Sequence, residues 1–179
     1  MKNNSKKRVL YLCRAGIIAA LYVALTYLAM LFGLDKNAIQ VRFSEALCIL
    51  PVFFPEAVGG LYVGCLLANI LTGAAALDIA LGPVATLAGA VGAYLLGAVI
   101  RKKNIKSFFF KCLVPIPTIL ANTVVVPLVV YICYTAPSEQ TLSLIPYYAL
   151  TVFLGEVISA GILGMLLYAA VEKNQKYLK

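Results

Sequence analysis

The chain has 179 residues, of which 63% are hydrophobic and only 12% charged, and its mean hydropathy is +0.95. A soluble domain is about a quarter charged, so a water-facing globule is excluded; too few polar groups remain to cover its surface, and lipid is the solvent that fits. The net charge of +8 is not a nucleic-acid footprint, because the cations lie in three clusters beside long apolar runs, with no basic groove or interleaved polar face.

The first cluster, Lys2, Lys6, Lys7, Arg8 and Arg14, opens the chain. A basic start followed by an apolar run has the outline of a signal peptide. The run is too long for one, however, and no soluble segment follows it, so residues 9–32 read as a first transmembrane helix. Residues 37–73 are harder to divide. As one helix they would extend about 55 Å, nearly twice the ~30 Å hydrocarbon core. Topology decides between one crossing and two. The second cluster (Arg101, Lys102, Lys103, Lys106, Lys111) and the third (Lys173, Lys176, Lys179) mark further cytoplasmic segments. An even number of crossings must separate the first cluster from the second. Residues 9–32 and 83–100 supply two of these, so the stretch between them crosses twice.

The break falls at Pro51-Val52-Phe53-Phe54-Pro55, because proline lacks a backbone donor and clashes with the preceding turn. Pro55 then opens a helix with Glu56 in its first turn, where a carboxylate suits the helix dipole. The expected spans are therefore 9–32, 38–53, 55–74, 83–100, 112–135 and 145–171. They form a single all-α integral membrane domain of six transmembrane helices, multi-pass in the cell membrane with both termini cytoplasmic. No internal repeat or low-complexity segment interrupts it.

Small residues recur at every fourth position. Gly16, Ala20 and Ala24 make one row beside Ala15 and Ala19, and Ala85, Gly89, Ala93 and Gly97 make another. Such rows let helix backbones approach closely in lipid. Either they pack the bundle internally or one of them docks a second membrane protein. The five cysteines (Cys13, Cys48, Cys65, Cys112, Cys133) lack CxxC spacing and read as small buried thiols, neither a disulfide framework nor a metal site.

Ionisable groups inside a bilayer are costly unless paired or solvated, and each is by default a functional-site candidate. The polar and ionisable candidates here are Arg42, Glu45, Asn69, Asp78, Asn122 and Glu156, with Gln40 a weaker one. Arg42 and Glu45 are three residues apart and would share a helix face, as an interfacial ion pair or as ligand contacts. Asp78 falls in the outer loop before residue 83. Glu156 lies about 11 residues into the last helix, roughly 16 Å below the outer surface, with Gly155, Ser159 and Gly161 beside it. Nearly all these groups sit in the outer half, which describes an acid-rich pocket opening outward. Such a pocket prefers a cation or a donor-rich molecule. Phe43, Tyr62, Tyr147, Tyr148 and Phe153 are candidates to stack on a flat ring, or else belong to the interfacial belt.

The chain has no histidine, which removes the usual general base and the commonest metal ligand. It also carries no GxxxxGK[ST] phosphate loop and no GxSxG. An enzyme is poorly supported, no cofactor is implied, and a binder or transporter fits.

The block Ala38-Ile39-Gln40-Val41-Arg42-Phe43-Ser44-Glu45-Ala46-Leu47, followed by Leu50-Pro51 and Phe54-Pro55, resembles the signature of the QueT family. So do Gly59-Gly60-Leu61 through Gly64-Cys65, Ala68-Asn69, and Asp78 with Leu81-Gly82. The resemblance covers essentially the whole chain. It implies an ECF S-component-like bundle, the substrate-binding (S) component of an energy-coupling factor transporter. Such a protein takes up a queuosine precursor, a deazaguanine base, from outside and docks on a T component driven by two ATPase subunits. It further implies that an AxxxA-like motif on the first helix meets the T component, and Ala15-xxx-Ala19 and Ala20-xxx-Ala24 both fit. A carboxylate such as Glu45 or Glu156 would accept the guanine-edge donors, another acid would pair with an aminomethyl group, and Asn69 or Asn122 would read the carbonyl. The alternatives are an S component for another vitamin or nucleobase, a stand-alone ion-coupled carrier using Glu156, and a scaffold that moves nothing.

Overall fold

The computed structural model describes residues 2–34 and 40–174, and the described residues are helical, with no strand. Four helices are long and apolar enough to cross a membrane, and two shorter apolar helices accompany them, giving the expected six. Helix α1 (Lys2–Leu31) is followed by a 3-10 helix (Phe43–Val52), α2 (Ala57–Leu71) and α3 (Ala76–Lys102). A one-turn helix α4 (Phe108–Lys111) precedes α5 (Ile116–Cys133). The last span is α6 (Leu144–Glu156), a π-helical segment (Val157–Leu163) and α7 (Gly164–Asn174) in one continuous run. Lys176, Lys179 and the Ala38–Ile39 part of the family block lie outside the described residues.

The 3-10 helix is the centre of the bundle. Every residue from Ser44 to Val52 is buried, and the segment packs against α1, α2, α3, α7 and the π segment. Residues 38–53 were expected as an α-helix. Instead Gln40–Arg42 are non-helical and the 3-10 winding follows them. At about 2.0 Å rise per residue, ten residues reach about 20 Å, where an α-helix would reach about 15 Å. The tighter winding thus helps a short segment cover most of the bilayer.

A second correction concerns α3. The fourth span was expected to start at Pro83, but the helix begins seven residues earlier, at Ala76, and Pro83 lies inside it. Asp78 therefore sits in the first turn of α3, and at 6% exposure it is buried, not solvated in a loop. A carboxylate in a first turn faces the positive end of the helix dipole, which favours starting the helix there.

The row Ala85, Gly89, Ala93, Gly97 faces inward. A Cβ on Gly89 would stand 2.7 Å from Thr118 Cα, and one on Gly97 would stand 2.7 Å from Val52 Cα. The cysteines divide differently from the expectation: Cys48 and Cys65 are buried, Cys112 is half-buried, and Cys13 and Cys133 are exposed.

One end of the bundle is fastened by cations from the basic clusters. Arg14 Nη1 meets Glu56 Oε1 at 3.3 Å and its guanidinium lies 5.4 Å from the Phe54 ring centre. Arg101 donates to the Val52 carbonyl. Lys111 Nζ is 2.7 Å from Glu172 Oε1. The turn between the 3-10 helix and α2, the α3–α5 connection and the last helix thus share this basic end. The positive-inside rule makes it cytoplasmic. The opposite end, where Tyr27 bonds the Leu71 carbonyl, faces outward.

Candidate functional site

At the outer end the helices surround a cavity of about 500 Å³, within the range of small-molecule sites. Thr26 of α1, Gln40 and Arg42 before the 3-10 helix, Asn69 of α2, Asp78 of α3 and Tyr134 beyond α5 all line it. Arg42 Nη2 stands 4.0 Å from Asp78 Oδ2, and the Tyr134 hydroxyl donates to the same oxygen at 3.3 Å. The Ala75 N–H donates to the Tyr134 oxygen at 2.9 Å. Asn69 Nδ2 donates to the Asp78 carbonyl at 3.0 Å. Gly82 leaves room for that amide, since a Cβ there would approach Asn69 Nδ2 to 2.7 Å.

Beneath the cavity lies a second polar tier. Tyr22 precedes Thr26 by one turn of α1, Cys65 precedes Asn69 by one turn of α2, and Asn122 precedes Val126 by one turn of α5. Thr26, Asn69 and Val126 are cavity residues, and all three helices descend toward the basic end in that direction. The lower tier is therefore about 6 Å deeper. In it the Tyr22 hydroxyl donates to Glu45 Oε1, and Cys48 Sγ donates to Glu45 Oε2 at 3.2 Å. Asn122 Nδ2 donates to Glu156 Oε1 at 2.9 Å. Glu156 Oε2 is buried and has no hydrogen-bond partner among the described residues. The α-helix passes into π winding immediately after Glu156, and such switches concentrate at functional sites.

The chain preceding the 3-10 helix links the tiers. The Arg42 N–H donates to Ser159 Oγ at 3.1 Å. Gln40 presses so close to α6 that a Cβ on Gly155 would lie 2.0 Å from its carbonyl oxygen. Only glycine admits this approach.

A family model described as QueT transporter matches residues 12–173. The chain belongs to the QueT transporter family. QueT is a family of S components of energy-coupling factor transporters, and this member is a multi-pass membrane transport protein. No curated protein matches it, and no solved structure does.

In this QueT protein the structure brings Arg42, Asn69 and Asp78 together around the cavity and groups Glu45, Asn122 and Glu156 beneath it. The one acid-rich pocket of the sequence reading is thus two tiers, and only Asp78 of the three acids lines the cavity. Arg42 and Glu45 do not pair with each other: Arg42 reaches Asp78 on α3, and Glu45 turns to Tyr22 on α1. None of Phe43, Tyr62, Tyr147, Tyr148 and Phe153 lines the cavity, and Tyr147 is exposed. The aromatic that does is Tyr134, whose position at the end of a span reads from sequence as interfacial belt. Tyr22 was also missed. Its signal was the i, i+4 spacing to Thr26 within an otherwise apolar helix.

On α1 the two small-residue rows separate. A Cβ on Gly60 would stand 2.6 Å from the Ala15 carbonyl oxygen, and one on Gly64 would stand 3.0 Å from Ala19 Cα. Ala15 and Ala19 thus lie against α2, while Gly16, Ala20 and Ala24 are exposed.

Proposed function

We propose that this protein captures a queuosine precursor, a deazaguanine base, from the outer side of the membrane as the S component of an energy-coupling factor importer. The observation that carries the reading is the outward cavity of about 500 Å³. Its walls offer an amide (Asn69), a charge pair (Arg42 and Asp78) and a phenol (Tyr134). A flat, donor-rich base presents complementary hydrogen-bonding edges to such a set. Family membership supports the transport role, and the lack of a phosphate loop in the sequence supports an energy source supplied by partner ATPase subunits. The exposed row Gly16, Ala20 and Ala24 is the face on which the T component docks, because Ala15 and Ala19 are already covered by α2 and small residues permit close helix contact.

The test is calorimetric binding of aminomethyl-deazaguanine and queuine to the purified protein in detergent, with guanine as control. Saturable submicromolar binding of the deazaguanines supports the reading. No binding by protein shown to be folded removes the substrate assignment. Concentrative uptake that persists without T and ATPase subunits favours the stand-alone carrier instead.

A further inference from the structure

The three acids of the two tiers differ in what they have left to offer. Asp78 Oδ2 faces Arg42 at 4.0 Å and takes the Tyr134 hydroxyl at 3.3 Å. Glu45 has both oxygens occupied, by Tyr22 and by Cys48. Glu156 has one oxygen held by Asn122 and the other without a donor among the described residues, although the residue is only 6% exposed. A buried carboxylate oxygen without a donor is expensive, and a ligand group that supplies the donor recovers that cost.

Charge separates the tiers in the same way. The upper tier holds one cation and one anion, Arg42 and Asp78. The lower tier holds Glu45 and Glu156, and among the described residues no salt bridge reaches either of them. Buried charges require a partner of opposite sign. The lower tier is therefore the end of the site that favours a positive charge. Distance sets the size of the arm. The drop between tiers is about 6 Å and a hydrogen bond spans about 2.9 Å, leaving about 3 Å, roughly a single methylene and its amine.

The geometry points to Glu156 as the subsite for a primary ammonium carried on a one-carbon arm, with the ring of the ligand in the cavity above. Glu45 is then the acid that shapes the tier, and Glu156 the acid that discriminates between substrates. This rests on the deazaguanine reading and refines it, assigning the aminomethyl end to Glu156 and the ring to the tier of Arg42, Asn69 and Asp78.

The experiment compares the affinities of aminomethyl-deazaguanine and methyl-deazaguanine, the same ring without the amine, by calorimetry on the full-length protein. The wild type prefers the cation by about 30-fold, the cost typical of leaving one member of a buried charge pair alone. In Glu156→Gln that preference collapses toward unity. Glu156→Asp withdraws the charge by one methylene and reduces the preference, and it serves if the glutamine variant does not fold. An unchanged preference in both variants overturns the assignment and leaves the deazaguanine reading standing. So does a collapse caused by Glu45→Gln but not by Glu156→Gln. Failure of folded wild-type protein to bind either compound overturns the assignment and the substrate reading together.

Discussion

Two glycines six residues apart in the last span, Gly155 and Gly161, have opposite surroundings, and replacing each by alanine tests how the site is closed. At Gly155 the new Cβ would lie 2.0 Å from the Gln40 carbonyl oxygen and 3.0 Å from its carbonyl carbon. Those atoms are backbone, so no rotamer relieves the overlap and the chain at Gln40–Arg42 must move away. Overpacking of this kind costs about 1–3 kcal/mol. The Arg42 N–H to Ser159 Oγ bond, 3.1 Å long, is strained or lost with it, for about 1 kcal/mol more. Alanine's better helix propensity returns up to about 1 kcal/mol. The net is about 1–3 kcal/mol, or about 2–12 °C in Tm at this chain length. Gln40 and Arg42 also line the cavity, so affinity falls as well. At Gly161 the nearest atoms to a new Cβ are 3.9 Å away, an ordinary contact, so Gly161→Ala leaves Tm unchanged or raises it. Thermal unfolding of both variants in detergent, with ligand calorimetry on each, reads the difference. Equal shifts in Tm for the two variants would refute the close-approach reasoning.

Tyr22→Phe removes the donor to Glu45 Oε1 while keeping the ring, and is expected to lower stability by about 1–3 kcal/mol; a Tm within 1 °C of wild type, read against the approximate scale of 2–4 °C per kcal/mol, contradicts it. Arg42→Ala and Asp78→Ala, measured singly and together by unfolding, should show a coupling of about 0.5–1 kcal/mol, since the 4.0 Å pair is partly exposed on the arginine side. The double variant Ala20→Leu/Ala24→Leu should keep its Tm and its ligand affinity but lose co-purification with T and ATPase subunits. Ala19→Leu should instead lower Tm, as α2 approaches too closely at Gly64 to admit it; identical behaviour of the two rows on pull-down and unfolding contradicts the division.

What the sequence made legible was whatever depends on transfer between water and lipid. Long apolar runs, three basic clusters and the parity they impose give six helices without any knowledge of packing. Local winding was not legible in the same way. The segment from Ser44 to Val52 is buried throughout, so its apolar pattern carries no periodicity to distinguish 3-10 from α. Pro83 misled for a related reason. Proline marks helix starts and is also tolerated inside membrane helices, where neighbours re-satisfy the freed carbonyl, and reading it as a start put Asp78 in a loop. The candidate residues themselves were chosen on cost, which is a property of each residue alone. Which of them meet is a property of pairs: Arg42 finds Asp78 at a separation of 36 residues, not Glu45 at three. Likewise, only the positions of Gly60 and Gly64 on another helix decide which alanine row of α1 is covered.

The same pairing explains why the central segment is short and irregular. One stretch of chain carries Arg42 into the upper tier and Glu45 into the lower, only three residues apart. In an α-helix both side chains would lie on one face and compete for the same neighbours. Leaving Arg42 before the helix, with extended backbone angles, frees it to turn toward α3 while Glu45 in the following turn faces α1. Each anchor then comes from a different element: Asp78 from α3, Tyr22 from α1 and Ser159 from the π segment. The short stretch from Arg42 to Glu45 is thus held from three sides at once.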